Sequence, residues 1–219
     1  MADRHEEVLI PAGATRLPGD LAIPDGPIGV VIFAHGSGSS RLSARNIAVA
    51  DHLRGASLAT LLFDLLTPEE AGDRSNVFDI ELLAGRLGAA ASWARHHKPT
   101  IGLPIGLFGA STGGAAALVA AAADHSIGAV VSRGGRPDLA GDALRDVVSP
   151  TLLIVGGADS AVIELNRYAF DLLRCEKRTE IIPGATHLFE EPGALEQVSG
   201  LARDWFVHHL SLAPIVLPS

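Results

Sequence analysis

The chain has 219 residues, 47% of them hydrophobic, and a single cysteine, so it can close one sizeable core without disulfide or metal staples, and a single domain over 1–219 is expected. Seventeen Lys and Arg against 25 Asp and Glu leave a formal charge of −8, which argues against nucleic acid or an anionic membrane surface as a partner. Cys175 has no partner within the chain, residues 1–7 carry charge with no apolar stretch behind them, and the longest apolar run, Ala115 to Ala123, is far short of the ~18 residues of a membrane span; a cytoplasmic protein without a Cys-rich zinc site is expected.

Two short segments punctuated by Pro11, Gly13, Pro18, Gly19, Pro24 and Pro27 read as an antiparallel lead-in. Ile28 to Ala34 follows as a buried strand, then a Gly/Ser loop, a helix from about Arg41 to Gly55 and a second buried strand from Leu58 to Phe63. A helix from about Val77 to His97, stopped by Pro99, leads to a strand from Ile101 to Phe108 and an alanine-rich helix reaching about Ala123. Ile127 to Val131, Thr151 to Val155 and Glu180 to Ile182 read as further strands, with helices near Leu139 to Val147, Ala161 to Leu173 and Gly193 to Leu210. Near-continuous apolar strands alternating with helices predict a mostly parallel sheet covered on both faces, an α/β three-layer fold. Ligands of such sheets bind beyond the carboxyl ends of the strands, so the loops starting at His35, Asp64, Gly109, Ser132, Gly156 and Pro183 should share one rim.

Gly109-Ala110-Ser111-Thr112-Gly113-Gly114 lies between a buried strand and a helix, the context of a nucleophile elbow. Ser111 would sit at a strained turn whose flanking residues approach each other, and Gly109 and Gly113 lack the side chains that would collide. Its hydroxyl would then meet the positive end of the helix, where negative charge on an attacked carbonyl oxygen is favoured. The bland alternative is a glycine-rich turn with an incidental serine. A phosphate loop fits poorly because no lysine follows the glycines.

A serine nucleophile needs a base, and the base needs an acid to hold its tautomer, in the chain order Ser, acid, His. After Ser111 come His125, expected to cap the helix that follows the elbow, His187 in a loop on the rim, and His208 and His209 in the last helix. His187 is the candidate base. Asp159, which ends a buried strand and glycine turn on the same rim, is the candidate acid; a lone loop aspartate is more often a helix N-cap and could cap the helix starting near Ala161, but the ordered trio favours the catalytic reading. Asp138 and Glu164 compete less well, the first in another loop and the second within a helix. Oxyanion donors are expected on the backbone N–H of Thr112 and of Ser37, with Gly36 or Gly38 as alternatives to Ser37 if the loop bends differently. The same loop fits a dinucleotide turn badly, since Arg41 stands where a third glycine is required, and His35 reads as a loop-shaping hydrogen-bonding residue.

Taken together, IFAHGSGSSR (32–41), LLFDLLTPEEA (61–71), GLFGASTGGAAAL (106–118), VVSRGGRPDLAG (130–141), LLIVGGADS (152–160) and IIPGATHLFEEPG (181–193) resemble the α/β-hydrolase superfamily, and within it the small, lidless dienelactone-hydrolase-like group. The resemblance implies an α/β-hydrolase fold without a large lid, a triad of Ser111, Asp159 and His187, oxyanion amides on Ser37 and Thr112, and no metal or organic cofactor. Dienelactone hydrolases proper use a cysteine nucleophile where this chain has Ser111, which favours general carboxylester hydrolysis over ring opening of a dienelactone. Domains of this group also occur joined to a phosphoribosyltransferase domain, for which this length has no room. The short stretch between the strands at Val131 and Thr151 excludes a large lid there and predicts a shallow site for small esters of short acyl chains. Arg41, Arg133 and Arg136 sit in loops of the same rim as candidate contacts for a substrate carboxylate, although loop arginines are usually solvated. A non-catalytic hydrolase-like binding domain and an acyltransferase using the same residues are the alternative readings.

Overall fold

The computed structural model describes residues 3–211; the charged N-terminal stretch and the 1–219 domain span therefore run partly outside the described residues. Among those residues eight strands form one sheet in the order β1-β2-β4-β3-β5-β6-β7-β8. β1 (Arg4–Ala12) and β2 (Thr15–Ile23) form the antiparallel lead-in, and β2 continues antiparallel against β4 (Leu58–Phe63). From β4 onward, β3 (Gly29–Ala34), β5 (Ile105–Ala110), β6 (Ile127–Arg133), β7 (Thr151–Gly156) and β8 (Lys177–Ile182) are parallel.

Both faces of the central strands are buried, which is why they read as apolar runs and not as alternating ones. Val30 and Ile32 of β3 pack with Leu83, Leu87 and Ala116 on one side, whereas Val31 and Phe33 pack with Val49, Leu53, Val198 and Phe206 on the other. The first layer comprises α4 (Ile80–His96), α5 (Thr112–Ala123) and α6 (Ser160–Leu172); the second comprises α1 (Ala44–Arg54) and α7 (Ala194–Ser211). No described helix is long and apolar enough to cross a membrane.

Several boundaries differ from the sequence reading for identifiable reasons. β5 starts at Ile105 because a 3-10 turn at Lys98–Thr100, a positive φ of 78° at Gly102 and then Pro104 delay it. β8 begins at Lys177, its polar first half belonging to a sheet edge that faces water. The segment 139–147 is not an α-helix but part of a 3-10 stretch, Pro137–Asp146, broken at Gly141. α5 ends at Ala123 with Asp124 as its C-cap, not His125; the Asp124 carboxylate is occupied by Ser126 and Arg95. Two one-turn helices, α2 (Pro68–Ala71) and α3 (Arg74–Val77), precede α4. The first is set by a capping box in which Thr67 accepts from Glu70 N–H and the Glu70 carboxylate accepts from Thr67 N–H.

Candidate active site

The turn from β5 into α5 places Ser111 at φ 52° and ψ −122°, a backbone region that L-residues rarely occupy. Close contact forces this shape. A Cβ at Gly109 would lie 2.3 Å from the Gly113 carbonyl oxygen, and one at Gly113 would lie 2.2 Å from the Ala34 carbonyl oxygen. The two glycines thus do different jobs: Gly109 lets the turn close on itself, and Gly113 lets α5 start against the end of β3. Ser111 N–H donates to the Arg133 carbonyl, and the Ser111 carbonyl accepts from Gly114 and Arg136 N–H, so the turn is held from both sides.

The β3–α1 loop lies directly against this serine, since a Cβ at Gly36 would stand 2.9 Å from Ser111 Cβ and 3.7 Å from its Oγ. Thr112 is the first residue of α5, so its N–H has no partner within the helix, and Ser37 N–H donates to nothing among the described residues. His35 fixes the loop. Its Nε2 accepts from Leu65 N–H at 3.1 Å, which puts the proton on Nδ1, 3.0 Å from the Gly36 carbonyl. Burial pulls the His35 pKa below the ordinary histidine value, outweighing the Gly36 carbonyl and the Asp64 charge.

On the other side of the serine, the β7–α6 and β8–α7 loops are laced together: Gly157 N–H donates to the Ile182 carbonyl and Ala158 N–H to the Ala185 carbonyl. This brings Asp159 Oδ2 to 2.8 Å from His187 Nδ1. Asp159 does occupy the N-cap position of α6, but its side chain makes no cap hydrogen bond there; the carboxylate goes to the imidazole. A carboxylate can only accept, so Nδ1 carries the proton and Nε2 presents a lone pair. Ser111 Oγ makes no hydrogen bond to the ring among the described residues, and such contacts often tighten only with substrate present. Gly134 ties the two halves: it follows Arg133, which accepts from Ser111 N–H, and its Cβ position is 3.0 Å from the His187 carbonyl oxygen. Asp138 and Glu164 are engaged elsewhere, by Arg136 and Arg167.

The three rim arginines have separate fates. Arg41 donates to Asp64 at 2.8 Å and to Asp20 at 3.0 Å, and Arg136 donates through Nε and Nη2 to both oxygens of Asp138. Neither leaves an unpaired cation for a substrate carboxylate. Arg133 is the last residue of β6, is only 7% exposed, and points among Asn46, Phe189 and the start of α1. Beside the elbow opens a cavity of about 450 Å³ bounded by Ser37 and Thr112 and walled by Leu65, Leu66, Val77 and Leu83. The sequence reading took the shape of the site from the short Val131–Thr151 stretch and did not pick out these apolar residues. The signal was present as Leu65-Leu66 running past the end of β4 into the capping box at Thr67.

Known proteins bear on this arrangement. No protein-family model matches the chain. A crystal structure of dienelactone hydrolase from Anabaena variabilis is 54% identical, superposes with a TM-score of 0.92, and is matched over 95% of this chain and 99% of that one. The chain belongs to the dienelactone hydrolase family. As an α/β hydrolase it also shares its fold with Est1E from Butyrivibrio proteoclasticus, at 17% identity and a TM-score of 0.79 over 94% of this chain and 99% of that one. A Mycobacterium tuberculosis protein with the provisional name phosphoribosyl transferase is 60% identical over 208 residues. That match takes in 94% of this chain and 47% of the longer protein, so the chain spans about half the length of the curated relatives it matches.

Proposed function

We propose that the protein is a serine carboxylesterase that cleaves small, short-chain esters through an acyl-enzyme. Ser111 attacks the ester carbonyl while His187 Nε2 takes its proton, Asp159 holds the imidazole and stabilises the imidazolium, and the N–H groups of Ser37 and Thr112 receive the oxyanion. The alcohol leaves with the proton from His187; water, deprotonated by the same nitrogen, then releases the acid. The observation that carries this reading is the 2.8 Å Asp159–His187 contact on a rim shared with a strained serine. Membership of a hydrolase family supports it, and the apolar wall of the cavity suits an acyl or aryl group without charge. The half-buried free thiol of Cys175 suits a reducing, cytoplasmic setting.

The test is turnover of p-nitrophenyl acetate and butyrate by pure protein, with labelling by a serine-directed phosphonate. Turnover and labelling should both vanish in Ser111→Ala with folding unchanged. A wild-type protein that neither turns over nor labels is a binding domain. Product partitioning toward added alcohol in preference to water makes it an acyltransferase.

A further inference from the structure

Arg133 occupies an environment that costs stability. It is 7% exposed; among the described residues its buried Nε and Nη1 have no hydrogen-bond partner, and its Nη2 reaches only Asn46 Oδ1 at a long 3.4 Å. No carboxylate pairs with it among the described residues, and burial, followed by the like charge of Arg45, holds its pKa down at about 10, still cationic at neutral pH. An unpaired buried guanidinium is among the least favourable groups a core can hold, and an apolar side chain of similar length should fold at least as well.

What it touches is the loop that carries His187. The guanidinium carbon lies 5.9 Å from the centroid of the Phe189 ring, at the outer edge of a cation–π contact. Phe189 is 1% exposed and adopts φ 56°, a strained conformation for a bulky residue, two positions after His187. Its N–H closes the turn by donating to the Thr186 carbonyl at 3.2 Å. The neighbouring Gly134, at φ 51°, provides the floor, since a Cβ there would lie 3.0 Å from the His187 carbonyl oxygen and 3.1 Å from the Phe189 ring. Arg45 fastens the next residue through a 3.1 Å bond to Glu190.

We propose that Arg133 is a positioning residue which, by holding the face of the Phe189 ring, fixes the strained 186–189 turn and so the orientation of the His187 imidazole between Asp159 and Ser111. The role rests on the reading of His187 as the base. A flat, delocalised cation suits the task because it can lie against a ring and a backbone turn together.

The test uses the full chain with Arg133→Met, Phe189→Leu and the double variant. Four quantities are read: the thermal midpoint, kcat and KM for p-nitrophenyl butyrate, and the downfield proton resonance of His187 Nδ1–H in the resting protein, assigned by its loss in His187→Gln. Arg133→Met should unfold at the wild-type temperature or above it, yet lose about 10- to 100-fold in kcat with KM within about twofold, as small misplacements of a reacting group do. Its Nδ1–H resonance should broaden or vanish. Phe189→Leu should show the same loss in kcat, and the double variant should be no worse than either single one, because both act through one contact. Unchanged kcat and an unchanged resonance in Arg133→Met overturn the proposal. So does a rise confined to KM for carboxylate-bearing esters, which would make Arg133 a substrate-binding group. If the wild-type protein turns over no ester, the esterase reading fails by itself, and the resonance still decides the role of Arg133.

Discussion

Replacing Ser111 by glycine should stabilise the protein relative to replacing it by alanine. Both variants lose the hydroxyl, so they differ only in a Cβ at φ 52° and ψ −122°, where a side chain is strained and glycine is not. Strain of this kind costs about 1–3 kcal/mol per residue. Against it stands the greater freedom of glycine in the unfolded chain, about 0.5–1 kcal/mol. The net gain should therefore centre near ~1 kcal/mol, and a domain of this size shifts by about 2–4 °C per kcal/mol. Scanning calorimetry of the two inactive variants in one buffer should place Ser111→Gly about 3 °C above Ser111→Ala. A glycine variant that melts at or below the alanine variant would refute the idea that the turn stores strain at the serine.

Asp159→Asn should leave the fold intact and cut kcat by about four orders of magnitude, measured with p-nitrophenyl butyrate, because an amide no longer enforces the Nδ1–H tautomer of His187. Gly113→Ala drives a Cβ to 2.2 Å from the Ala34 carbonyl and 2.8 Å from that of His35, both backbone atoms with nowhere to go; a loss of about 3 kcal/mol or more of unfolding free energy, read from urea denaturation, is expected. Gly85→Ala, in α4 with nothing within 4 Å of the added carbon, serves as the control and should gain about 0.5–1 kcal/mol. His35, whose pKa is lowered by burial, binds a proton more readily in the unfolded chain. Its share of stability is therefore complete above the unfolded value of about 6.5 and is lost as pH falls through the lower folded value. Thermal midpoints should decline from about pH 6.5 downward, and the decline should be shallower in His35→Gln.

The layered α/β arrangement, the parallel sheet and the shared rim were legible in the sequence because they follow from local patterning: short, β-branched apolar runs flanked by turn residues and alternating with helical segments read as strands buried on both faces. The elbow at Ser111 was legible for a similar reason, since its glycines are demanded by contacts within one turn and the adjacent strand end. Chain order and loop position also singled out His187 and Asp159, but nothing local separates an aspartate that caps a helix from one that binds an imidazole. That choice was made by the lacing of the β7–α6 loop to the β8–α7 loop, which turns the Asp159 carboxylate away from the α6 amides. The arginines show the same divide. Whether Arg41, Arg133 or Arg136 carries free charge depends on partners as distant as Asp20, Asn46 and Phe189, which only the folded chain brings within reach. Sequence spacing governs what a residue can do along its own strand or helix; which partner it meets is decided by packing between elements far apart in the chain.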